Sequence, residues 1–155
     1  MRTPFSHVYL VFGKAPTELV VHATGKGLFP ISRKKFLEHN SVVEEFEIYV
    51  SDLEYDKIKM LSYDNMGTKY GYWQNIGILI AELLCTTYKK LNINKRIVNP
   101  FMDGVNCSEW VSMALKVEDT EAFAEFSDSN LISPSDVYKY LKKSIVERSD
   151  LIKKV

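Results

Sequence analysis

The sequence predicts one α+β domain. Three observations carry that reading. The 155-residue length suits a single domain. The N-terminal third alternates short β-branched and aromatic runs with turn residues, as a sheet does. The rest carries apolar residues at helical spacing between capping signals. Residues 1–155 are read as one unit, since no linker, internal repeat or low-complexity tract divides them. A domain of this size buries roughly two-thirds of the surface its unfolded chain exposes, so it holds a core without disulfides.

The elements follow in order. His7 to Phe12 (HVYLVF) and Glu18 to Ala23 (ELVVHA) read as two strands of a hairpin around the turn cluster Gly13 to Thr17. Gly25 and Gly27 then break the pattern. Ser32 is positioned to cap a short helix through His39, with Arg33, Lys34 and Lys35 on its wet side. Val42 to Val50 reads as a third strand with a solvated glutamate face. Ser51 with Glu54 three residues on is a capping box, and the helix it opens follows Leu53, Ile58, Leu61 and Met66 toward a stop at Gly67. Residues 73–91 read as a long, largely buried helix ending in lysines. Asn92 to Gly104 is a loop. A helix from about Cys107 to Val117 places Trp110, Val111, Ala114 and Leu115 on one side. Ser133-Pro134 starts a last helix, running to about Val146.

Charge and composition exclude several function classes. Lys plus Arg and Asp plus Glu are 20 each, so the formal charge is zero. A general nucleic-acid binder needs net positive charge to displace counterions, and an anionic membrane surface selects for it too. The longest apolar run, Ile76 to Cys85, contains Glu82 and falls short of the ~20 residues a membrane span needs. No signal peptide is visible, and two cysteines are too few for a disulfide framework, so a reducing, cytoplasmic setting is expected, with delivery to a cell wall by another route as the alternative. No Gly-rich phosphate loop follows a strand, and no His/Cys/carboxylate group has zinc-ligand spacing. No cofactor or metal is expected.

Chemistry concentrates on Cys107. It opens a predicted helix, where unpaired N–H groups and the helix dipole favour a thiolate and can also bind an oxyanion. The competing reading is a small core hydrophobe, and that reading fits Cys85, which lies mid-helix. Histidine is the usual partner of a catalytic thiol. With a turn near Ala15, residues whose numbers sum to about 29 or 30 face each other, so His7 and His22 become cross-strand neighbours or nearly so. One imidazole can then orient the other; the alternative is a pair of polar residues at a sheet edge. His39 belongs to the short charged helix and is expected outside the site.

Several strings together resemble one family. Ser6-His7-Val8-Tyr9-Leu10-Val11 with Val20-Val21-His22-Ala23 resembles the "HVGIY…miHA" strand pair of NlpC-type papain-like cell-wall peptidases. Asp103-Gly104-Val105-Asn106-Cys107-Ser108-Glu109-Trp110-Val111 resembles the family's "DCSGfv" nucleophile helix, and more closely the "yCSElV" form of its permuted branch. Gly67-Thr68-Lys69-Tyr70-Gly71-Tyr72 resembles the "GtpYryGG" segment. Both histidines precede the cysteine, as in the circularly permuted branch that includes YiiX-like proteins and the lecithin-retinol acyltransferase group. Ser133-Pro134-Ser135-Asp136-Val137-Tyr138 resembles the "tPsDLy" segment downstream in YiiX-like proteins. Two departures stand out: Tyr9 replaces the usual glycine, and Gly71-Tyr72-Trp73 lacks the double glycine.

The resemblance implies a papain-like, circularly permuted core, with a small antiparallel sheet packed on the nucleophile helix. It implies Cys107 as nucleophile, His7 as base, His22 as the group that orients His7, and Tyr70 as an oxyanion ligand. It implies a thiol hydrolase acting through a thioester, first on peptidoglycan stem peptides. An acyltransferase or esterase on lipid-linked acyl groups is the alternative within the enzyme class. A papain-like binding or assembly module with an idle thiol is the alternative outside it. On these grounds Cys107 is expected to be a partly exposed thiol of low pKa.

Overall fold

The structure is a computed structural model. It describes residues 6–73, 76, 77, 80, 104–118, 132–147 and 152–154. The expected loop over 92–104 lies outside these residues save Gly104, as do Cys85 and Asp103. Of the helix expected over 73–91, only Trp73, Ile76, Gly77 and Ile80 are described, and these have helical backbone.

Strands β1 (Leu10–Phe12), β2 (Leu19–Thr24) and β3 (Gly27–Ser32) form an antiparallel sheet in the order β1-β2-β3. β1 meets β2 with Leu10 opposite Val21. The pairing therefore centres between Ala15 and Pro16, slightly later than the turn residues suggest. β3 is an element the sequence reading lacks, because Gly27 and Pro30 are poor strand residues. Its signal was the two-residue turn Gly25-Lys26, which joins Thr24 to Gly27 as a tight hairpin. Pro30 has no N–H to give, and β3 tolerates it at the edge of the sheet.

Helix α1 (Arg33–Leu37) starts at Ser32, whose side chain accepts from the Lys35 N–H. Arg33 is not on a wet face: it is half-buried and paired with Glu18 and Glu45. Strand β4 (Phe46–Ile48) is shorter than the expected 42–50 and pairs with β5 (Ile152–Lys154) as a separate two-stranded sheet. Helix α2 (Asp52–Asp64) carries the full capping box of Ser51 and Glu54. Its expected apolar stripe is only partly inward: Leu61 packs on the core, whereas Leu53 is exposed. Helix α3 (Cys107–Glu118) and helix α4 (Pro134–Glu147) match their sequence signals closely.

The core lies between the sheet and α3. Val21, Ala23 and Leu28 from the sheet meet Cys107, Trp110, Val111 and Leu115 of α3, with Ile132, Val137 and Leu141 behind. Val8, Leu10 and Phe12 pack on the same cluster. Strand side chains alternate between faces, so His22 projects to the opposite face, where α1 supplies the buried ring of Phe36. The protein is thus mixed α and β, with a small antiparallel sheet between a long helix and a short one.

Candidate active site

Cys107 is held by its helix start. Asn106 is fully buried, and its Oδ1 accepts from the Glu109 N–H at 2.8 Å, which caps α3. The Ser108 hydroxyl reaches Asn106 Oδ1 at 2.9 Å and the Ile132 carbonyl at 2.5 Å, which ties the first turn to the segment before α4. An Asn immediately before the predicted helix was a readable sign of this cap. Trp110, three positions beyond Cys107, is fully buried and anchors the same turn in the core.

A second segment comes up against this turn. Val105 N–H donates to the Lys69 carbonyl at 2.9 Å, and Gly71 N–H donates to the Val105 carbonyl at 3.3 Å. Tyr70 and Val105 therefore form a parallel bridge although 35 positions separate them. The close approach requires Gly104. Its φ is +87°, and a Cβ there would lie 2.8 Å from the Gly71 nitrogen and also strike the Lys69 carbonyl oxygen. The same segment is tied to β3 on its other side, through Leu28 N–H to the Thr68 carbonyl and Gly67 N–H to the Leu28 carbonyl.

Several groups act on the Cys107 sulfur. The backbone of Val8, the helix-start backbone of Cys107 and Ser108, and the Tyr70 hydroxyl each act to lower the Cys107 thiol pKa. The Val8 contribution was not anticipated from sequence. All four favour a thiolate, yet burial outweighs them and pushes the thiol above its ordinary value. Cys107 is 4% exposed. The expectation of a partly exposed, low-pKa thiol is corrected on both counts: the helix start is present, but it is dry.

His7 and His22 stand side by side. His7 Nε2 lies 3.3 Å from His22 Nδ1, and the ring centroids are 5.4 Å apart with a near-perpendicular tilt. The register makes this a diagonal contact: extended from Leu10 opposite Val21, it sets position 9 across from His22, and His7 reaches over from two residues along. Burial, and then the neighbouring His22, hold the His7 imidazole down at about 4. Burial lowers His22 as well. Among the described residues, no hydrogen bond joins either imidazole to the Cys107 thiol. The thiol packs with the sheet face toward α3, while the His7–His22 contact lies on the face toward α1. His39 is exposed at the end of α1.

The arrangement supplies a buried thiol at a helix start and, at the residue before Val8, an imidazole in contact with a second imidazole. Among the described residues, no group of three or more His, Cys, Asp or Glu side chains is placed to hold a metal ion. None of their helices is long and apolar enough to cross a membrane. No protein-family model matches the chain, and no curated protein or solved structure matches it.

Proposed function

We propose that the chain is a thiol hydrolase of the permuted papain-like kind, acting at an amide or ester carbonyl through a thioester. The observation that carries this reading is the seating of Cys107 at the buried start of α3, with the Tyr70 segment bridged to Val105 beside it and with polar groups of Val8, Ser108 and Tyr70 that favour its thiolate. A plain core cysteine needs no such groups, because a thiol is only a weak acceptor. Donors fixed around a nucleophile stabilise the negative charge that leaves sulfur for the carbonyl oxygen during attack.

The two shifted groups define the resting state. A raised thiol and a depressed imidazole are both neutral at pH 7, so no thiolate–imidazolium pair stands ready. The proton leaves sulfur as the S–C bond forms. His7 takes it at Nδ1, since Nε2 is engaged with His22. For that, His7 carries its hydrogen on Nε2 and donates it to an unprotonated His22 Nδ1. His7 then returns the proton to the leaving amine or alcohol, and water hydrolyses the thioester with His7 again as base. Catalytic contacts are often long or open without substrate; here a His7–Cys107 contact further requires the His7 end of the chain to swing past the edge strand β1, because the two groups lie on opposite faces of the sheet. The preferred substrate is a peptidoglycan stem peptide, and the alternative is a lipid-linked acyl group.

A second reading has its own support. The buried thiol and the separation of thiol and imidazoles onto two sheet faces favour a binding or assembly module with an idle cysteine. Release of stem-peptide fragments from purified peptidoglycan, with a panel of acyl esters and amides beside it, decides between them. Turnover by wild type, abolished by Cys107→Ala, supports the hydrolase. An inert wild type with no acyl adduct on Cys107 by intact mass supports the module.

A further inference from the structure

Tyr9 stands where the family that the chain resembles carries glycine, and the structure gives it a task. We propose that Phe36, backed by Tyr9, is the positioning residue of the His7–His22 pair: a buried aromatic wedge that fixes which nitrogen His22 presents to His7. Its effect on turnover rests on the hydrolase reading; its effect on the ring does not.

Tyr9 is pinned at both ends. Its ring lies 4.5 Å from the Phe36 ring, centroid to centroid. Its hydroxyl donates to Glu45 Oε1 at 2.7 Å. The other carboxylate oxygen of Glu45 holds Arg33, and Arg33 reaches Glu18 at 3.1 Å. Arg33 and Phe36 are three positions apart on α1, hence on one side of that helix. The ion pairs and the Ser32 cap thus hold a five-residue helix that would fray in isolation, and hold Phe36 at 2% exposure.

Phe36 in turn meets His22, with centroids 5.2 Å apart and planes at 86°. That is the edge-to-face geometry aromatic rings prefer. A 180° flip of the His22 ring exchanges Nδ1 for a carbon and ends the bond to His7 Nε2. Without that acceptor, the His7 hydrogen is free to reside on Nδ1, the position that must be empty to receive the thiol proton. A ring wedged against His22 opposes the flip. Phe36 therefore acts on orientation, and through it on the tautomer of His7.

Histidine-labelled NMR of the full chain tests this without substrate. Wild type is expected to show one His22 ring state with hydrogen on Nε2 and an accepting Nδ1. In Phe36→Leu, which keeps an apolar side chain in place, the two His22 nitrogens should move toward averaged shifts. The His22 titration midpoint should rise toward 6.5, and the thermal midpoint should change little. If the hydrolase reading holds, kcat should fall roughly tenfold with KM unchanged, a part of the 10²–10⁴ that general-base catalysis supplies. Tyr9→Leu removes the backing ring and should shift His22 the same way to a smaller degree; it carries the test if Phe36→Leu does not fold. His22 shifts and midpoint unchanged in the folded variants would overturn the proposal. Altered His22 shifts in a protein whose wild type turns over nothing would leave the wedge standing and remove the hydrolase.

Discussion

At the scale of single residues, burial decides the chemistry. His7 is held near 4 against an ordinary 6.5. The folded state therefore binds fewer protons than the unfolded state between those values. Stability rises with pH through that window, and it is lost as pH falls from about 6.5 to about 4. The term is on the order of 3 kcal/mol, and the depressed His22 adds in the same direction. Urea unfolding of wild type at pH 4 and pH 7, against His7→Gln, checks it: the variant should lose most of the difference. The sulfur follows the opposite logic. Its alkylation by iodoacetamide should be slow at pH 7 and still rising above pH 9, because burial raises the thiol. Tyr70→Phe removes a hydrogen bond to the thiolate, so the rate at pH 8 should fall further, by about tenfold for a bond of ~1.5 kcal/mol. A faster variant would show that the Tyr70 hydroxyl does not serve the sulfur.

At the scale of elements, the site depends on two backbone devices. Asn106→Ala deletes the acceptor for the Glu109 N–H and for the Ser108 hydroxyl in a fully buried setting. It should cost about 2 kcal/mol by urea unfolding. Gly104→Ala places a Cβ against the backbone of residues 69–71, not against a flexible side chain. It should lower the thermal midpoint and remove the response of Cys107 alkylation to Tyr70→Phe, because the Tyr70 segment no longer reaches the sulfur. What the sequence disclosed divides along similar lines. Local signals were legible: the Ser51–Glu54 box and the Ser133–Pro134 start appear at the expected residues. So was the His7–His22 contact, since a hairpin needs only a turn position. Pairings that depend on distant chain were not. β4 finds β5 across more than a hundred positions, and the Tyr70 segment meets Val105 by backbone bonds that no side-chain pattern encodes. The burial of Cys107 was missed for the same reason: a helix start looks alike in sequence whether water or Val8 faces it.

At the scale of the whole molecule, one cluster joins nearly every element. Trp110 is fully buried at its centre, among residues of the sheet, α3 and α4, with Phe46 and Ile48 of β4 and Leu61 of α2 packed against it. Elements that share one core should unfold together. The indole Nε1 is buried without a hydrogen-bond partner, so the ring contributes through packing alone. Trp110→Ala should therefore cost about 3–5 kcal/mol, a large share of the 5–15 kcal/mol typical of a domain. Trp110→Phe, which keeps an aromatic ring and removes the orphaned N–H, should cost far less. Trp73, the other tryptophan, is more than half exposed. In a Trp73→Phe background, emission then reports Trp110 alone. The urea midpoint of that emission should coincide with the midpoint of far-UV circular dichroism. Coincidence is expected even though α1 and the β4–β5 pair lie outside the central sheet–α3 contact, because Phe46 and Ile48 tie β4 into the cluster. A dichroism midpoint clearly below the emission midpoint would mean that an outer element melts first. The α1 helix is then the one to examine, since its loss would free Phe36 and leave His22 without its wedge.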